Sequence, residues 1–190
     1  MTSVRRTRRG VVVSFDEVEA SLLRHLVGEV RDLLTDGEEE LLPAVRSGGA
    51  GLPTDAELSA LTGMAGVTDA ETPDDPALAR LLPDAYRDDP DAAGEFRRLT
   101  EGSLRRDKVG AAERLLATLP AAGPGEVRLD PDNTELWLST INDVRLALGT
   151  RLEVTEDMAE PDPDDPDAPA YVVYLWLTEL QGVLIEVADG

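Results

Sequence analysis

The chain has no cysteine, and that single absence removes disulfides, thiolate metal sites and any thiol redox switch. Histidine is nearly absent too. His25 stands alone, so a metal site or a nucleophilic triad built around a second imidazole cannot be assembled. Aromatic residues are 4% of the chain and lysine occurs once, as Lys108. With few aromatics, a core must be built from Leu, Val and Ala, a composition that favours helices over an all-β fold. Base is scarce: 18 Lys and Arg face 39 Asp and Glu, a formal net charge of -21. Such a chain has little footprint for phosphate, is repelled by an anionic membrane surface and suits a basic protein partner. No apolar run of about 18 residues stands out, so no membrane-spanning helix is expected. The basic start is followed only by Val11, Val12 and Val13, too short for a signal-peptide core, which makes the cytoplasm the expected location.

What is present reads as one mainly α domain over residues 1–190, with five to six helices and at most one or two short strands. Residues 1–10 carry Arg5, Arg6, Arg8 and Arg9 and are expected as a solvated basic arm. Val11–Val13 suits a short strand. Ser14 and Glu17 have capping-box spacing, and Phe15, Val18, Leu22, Leu26, Val30 and Leu33 then recur at helical period, widened by Leu23, Val27 and Leu34. Gly37 is the expected stop. A turn is expected at 38–42. Residues 43–74 read as loop-rich, with a short helix capped by Thr54 and Glu57. Asp75-Pro76 and Asp130-Pro131 each place an N-cap before a proline at the first helical position.

Between those two starts, Pro90 opens a helix predicted to reach Leu119, weakened by Gly94, Gly102 and Gly110. Residues 121–128 read as a loop. The helix after Pro131 carries Leu136, Trp137, Ile141, Val144 and Leu148 and should stop at Gly149, with 151–154 extended. Residues 156–169 form an acidic Pro/Asp-rich loop, and a last helix from about residue 170 carries Val172, Leu175, Leu180, Val183, Leu184 and Val187. The acidic run lacks the central Gly and distal Glu of a calcium loop, so it reads as solvated.

Two constellations are candidates for function. Arg97, Arg98, Arg105, Arg106 and Lys108 make one basic cluster, in which Arg97, Glu101, Arg105 and Lys108 share a helix face. It suits internal ion pairs with Asp84, Asp88, Asp89 or Asp143, a docking surface for an acidic partner, or nucleic acid. Asn142, Asp143 and Arg145 lie inside an apolar-patterned helix and must be satisfied there. A structural network clamping that helix to the Arg97/Arg98 helix is the first reading, and a small-ligand pocket the second. No catalytic, cofactor or metal set emerges, because no glycine pattern cradles phosphate and carboxylate pairs are too common here to be diagnostic.

The stretches DDPALARLLPDAYRDD (74–89), GEFRRLTEGSLRRDKV (94–109), WLSTINDVRLALGTRL (137–152) and YLWLTELQGVLIEV (174–187) resemble an actinobacterial family of oxidative-stress transcriptional regulators, AosR. The resemblance implies a cytosolic regulator that senses oxidants through a cysteine pair and binds an RNA polymerase sigma factor. The missing cysteines break the sensing half of that pattern. What stays is a non-enzymatic, transcription-associated regulator acting through protein contact with a sigma factor or RNA polymerase, with homodimerisation open. The alternatives are a small-molecule-binding or direct DNA-binding regulator, or an enzyme of unknown type.

Overall fold

The computed structural model describes residues 2–39, 73–85, 89–121, 123–156, 161–162 and 164–189. In chain order these form β1 (Ser3–Thr7), β2 (Gly10–Phe15), α1 (Glu17–Glu39), α2 (Pro76–Leu81), α3 (Pro90–Thr118), β3 (Gly125–Leu129), α4 (Pro131–Arg151) and α5 (Ala168–Asp189). The chain is mainly helical, as composition predicts. It divides into two compact units, Met1–Val30 with Ala111–Gly190, and Arg31–Gly110. Both α1 and α3 contribute residues to each.

The first unit contains an antiparallel sheet in the order β1-β2-β3, larger than the one or two strands expected. The basic arm is not solvated coil: Ser3–Thr7 pairs with β2, Val4 opposite Val13 and Arg6 opposite Val11. Nor are residues 121–128 all loop, since β3 pairs Val127 with Val13 and Leu129 with Val11. Backbone hydrogen bonding to a strong central strand recruits two weakly patterned neighbours. That strand, Val11–Val13 and Phe15, is buried along its length. Arg8 and Arg9 turn the hairpin, and Gly10 follows at φ 126, a region a side chain rarely adopts. A Cβ there would lie 2.0 Å from the Leu129 carbonyl oxygen, so β3 can approach only a glycine.

Because Phe15 ends β2, the cap of α1 falls two residues later than the Ser14/Glu17 spacing predicts. Asp16 accepts from the Glu19 N–H at 2.9 Å, and the Glu19 carboxylate accepts from the Asp16 N–H at 2.9 Å. The reciprocal geometry is the capping box, carried by Asp16 and Glu19. The Asp16 carboxyl is held below its ordinary range, chiefly by that Glu19 N–H. Along α1, Leu23, Val27 and Leu34 are fully buried, Leu22, Leu26 and Leu33 are half-buried, and Val18 is exposed. The helix continues through Gly37 to Glu39.

Helix α4 begins at the predicted cap, with Asp130 accepting from the Asn133 N–H at 2.9 Å. It runs past Gly149 to Arg151, so the extended stretch expected at 151–154 is a helix end and turn. Trp137, Ile141 and Val144 are buried, and the Trp137 ring lies 5.9 Å from that of Phe15. Helix α5 packs against α4, β1 and β2 through Leu177, Leu180 and Leu184. Contrary to expectation, its 22 residues are long and apolar enough, by length and composition, to cross a membrane, with a mean hydropathy of 1.3 over the most apolar stretch. Tight turns lead into it, Asp165 N–H to the Asp162 carbonyl and Ala168 N–H to the Asp165 carbonyl.

In the second unit, α2 starts as predicted, its Asp75 carboxylate accepting from the Ala77 and Leu78 N–H groups. Ala77, Leu81, Leu82 and Ala93 are buried. Helix α3 is continuous through Gly94, Gly102 and Gly110. Residues 40–42 of the turn expected at 38–42, the short helix capped by Thr54 and Glu57, and the 43–74 segment up to residue 72 lie outside the described residues, as do 157–160 and 163 of the acidic loop.

Candidate functional site

The basic cluster of α3 splits by helical phase. Arg97 is 6% exposed and Arg105 8%, deep for guanidinium groups that cannot shed their charge. Each is held by specific acceptors. Arg97 donates to the Asp84 carboxylate. Arg105 donates to the Leu34 carbonyl at 2.8 Å and to the Glu101 carboxylate at 2.8 Å, one turn back on its own helix. Arg98 and Arg106 face outward, and Arg106 Nε–H bonds the Gly102 carbonyl at 2.9 Å. Lys108 is half-buried. A docking surface made of all five cations is therefore corrected: burial withdraws Arg97 and Arg105 into the unit's own ion pairs. Of the expected acids, Asp84 is a partner, and Asp88 lies outside the described residues.

Beside Arg97 is a cavity of about 20 Å³, lined by Leu82, Pro83, Asp84, Ala93, Phe96 and Arg97 among others. That is room for about one water, far below the several hundred cubic ångströms of a small-molecule site.

In the second constellation the contacts that are described belong to Arg145, which ties α4 to a helix that the sequence reading did not name. It reaches α5, where Nε–H donates to Thr178 Oγ1 at 3.0 Å and an Nη1 hydrogen to Gln181 Oε1 at 2.5 Å. Its guanidinium carbon sits 5.5 Å from the Tyr174 ring centroid, a cation–π contact. Gln181 returns a weak bond, Nε2–H to the Leu138 carbonyl at 3.4 Å. Gly149 lets Tyr174 close in, since a Cβ there would meet the ring at 3.1 Å. Asp143 is buried and Asn142 half-buried on the same helix. Tyr174, Thr178 and Gln181 were missed from sequence. Their i, i+4, i+7 spacing on an apolar helix was the available signal.

On the sheet, Arg5 bonds Glu126 at 2.9 Å, joining the two edge strands across β2. The Arg5 hydrogen bond, and then its charge, hold the Glu126 carboxyl below its ordinary value of 4.5. Arg6 reaches the Ala188 carbonyl at 3.5 Å, while Arg8 and Arg9 are exposed at the hairpin turn. Among the described residues no group of three His, Asp or Glu side chains is placed to hold a metal ion, and His25 is exposed on α1.

These buried arginine pairs fall in the stretches that carried the family resemblance. Residues 1–188 match the family described as Domain of unknown function (DUF2017). The chain belongs to the DUF2017 family. Among its relatives is the oxidative stress regulator AosR of Mycobacterium tuberculosis, 37% identical over 186 residues, covering 90% of this chain and 79% of the relative. The oxidative stress regulator AosR of Mycobacterium bovis matches with the same identity and coverage. No solved structure matches the chain. For a DUF2017 chain the described geometry thus offers surfaces and internal ion pairs, with Arg97, Arg105 and Arg145 engaged in contacts within the fold.

Proposed function

We propose that this chain is a non-enzymatic regulatory protein of the cytoplasm, associated with transcription and acting by protein–protein contact. The observation that carries the reading is the similarity, over 90% of the chain, to relatives named oxidative stress regulators. Charge supports it: at -21, the chain complements the basic, DNA-contacting regions of a transcription protein such as a sigma factor. Oxidant sensing through a thiol pair is not part of the proposal, because the chain has no cysteine.

The test is retention of purified sigma factors and core RNA polymerase on the immobilised full chain. Salt-sensitive retention that is the same with peroxide as with dithiothreitol is expected. No retention of any polymerase component at low salt would overturn the reading. Reversing the two outward arginines, Arg98→Glu with Arg106→Glu, then asks whether an acidic segment of the partner docks on α3. A second reading, direct DNA contact, draws on the exposed Arg8 and Arg9 at the hairpin turn. It requires a salt-dependent gel shift that Arg8→Ala with Arg9→Ala removes.

A further inference from the structure

Helix α5 buries one face and leaves the other uncovered. Leu177, Leu180 and Leu184 are in the core, yet only 17% of the helix's most apolar stretch is buried. On the opposite side Val172 is 63% exposed and Leu175 44%, and Ile185 on one shoulder is 45% exposed. The spacing 172, 175, 179, 182, 186 lays these positions along one stripe: two apolar residues, Glu179, Gly182, Glu186. Gly182 is a glycine the fold does not need, since a Cβ there meets nothing within 4 Å. Glycine weakens a helix interior relative to alanine, and open space above it lets another backbone approach closely.

Charge decides what fits. No Lys, Arg or His occurs in residues 152–190, so every charged side chain of α5 itself, and of the loop before it, is acidic. An anionic lipid surface would be repelled, and the loop that leads into the helix, residues 152–167, has none of the basic residues that anchor a membrane helix. A second copy of the chain would set the Glu179 and Glu186 stripe against its own acids. We propose that the outer face of α5 is a docking surface for a cationic amphipathic helix of a protein partner. Its apolar residues cover Val172 and Leu175, and its Lys or Arg side chains meet Glu179 and Glu186. This gives a place on the chain to the partner contact proposed above, and rests on that reading only for the partner's identity.

The experiment titrates a synthetic amphipathic Leu/Lys helix, and a scrambled peptide of the same composition, into the intact chain at physiological salt. Amide hydrogen exchange maps the site. Saturable binding of the patterned peptide, about tenfold tighter than the scrambled one, with protection along 172–186, is expected. Val172→Asp with Leu175→Asp, and separately Glu179→Lys with Glu186→Lys, should each weaken it about tenfold. Both pairs are exposed, and an unchanged melting temperature confirms that they fold. Gly182→Ala should raise the melting temperature while weakening the peptide.

Equal binding of the two peptides, or no loss in either double variant, overturns the proposal. So does binding to phosphatidylglycerol vesicles that Leu175→Asp abolishes without any peptide binding, which would mark a membrane face. Concentration-dependent dimerisation abolished by Leu175→Asp, again without peptide binding, would mark a self-contact. Polymerase binding that survives both double variants removes this surface and leaves the regulatory reading standing. Peptide capture on α5 by a chain that retains no polymerase component does the reverse.

Discussion

Helices α3 and α4 carry comparable runs of apolar residues at helical period, and the fold uses them in opposite ways. In α4 the apolar stripe is the core: Leu136, Trp137, Ile141 and Val144 are buried. In the first half of α3 the apolar residues Phe96, Leu99 and Leu104 are exposed, Leu99 to 68%, while Arg97 and Arg105 are buried. One helix is held mainly by removing hydrocarbon from water. The other is held in that half by charged hydrogen bonds to Asp84, Glu101 and the Leu34 carbonyl. Periodicity therefore locates a helix without identifying the face that the rest of the chain covers.

The contrast can be broken most severely at Trp137. Trp137→Ala removes a fully buried ring and its bond to Thr118 Oγ1, and should cost about 3–5 kcal/mol by urea denaturation. Arg105→Ala should cost roughly 3 kcal/mol, because it strands the Glu101 carboxylate and the Leu34 carbonyl, both partners of a buried charge. A loss under 0.5 kcal/mol there would refute the claim that ion pairs hold the start of α3. Arg145→Ala, which cuts the bridge between α4 and α5, should cost about 1–2 kcal/mol. By contrast Leu99→Ser should stay within about 0.5 kcal/mol of the parent, and a larger loss would mean that this face is covered after all.

The smallest effect is a pH dependence at the sheet edge. The Glu126 carboxyl is held below 4.5 by Arg5, so its stabilisation is fully present above pH 4.5 and is lost as pH falls through the lowered value. Glu126→Gln should lower the melting temperature slightly at pH 6, and the two proteins should converge as the pH falls through that lowered value. The gap should also shrink in high salt, since both partners are solvent-accessible.

Legibility varied with how local the deciding force was. The starts of α2 and α4 were readable because Asp75-Pro76 and Asp130-Pro131 act within a few residues. The cap of α1 was displaced from Ser14 to Asp16 because strand pairing claims residues 10–15 first. Strand β3 was missed because GEVRL shows little pattern of its own and becomes a strand through Val13 and Val11. The candidate site was legible only in part. Arg97 with Asp84 was foreseen from charge, whereas Arg145 with Thr178, Gln181 and Tyr174 needed the position of α5.

By itself the sequence determined that this protein is acidic, thiol-free and mainly helical, with two helix starts marked by Asp-Pro. Those properties come from composition and from interactions along a few residues of chain. Tertiary structure alone decided that a Val-rich segment would become the centre of a sheet. It also decided that two of five clustered cations would turn inward, and that α5 would show solvent an apolar, acid-marked face. Each of those outcomes depends on which distant segment removes a given face from water, and no local pattern carries that information.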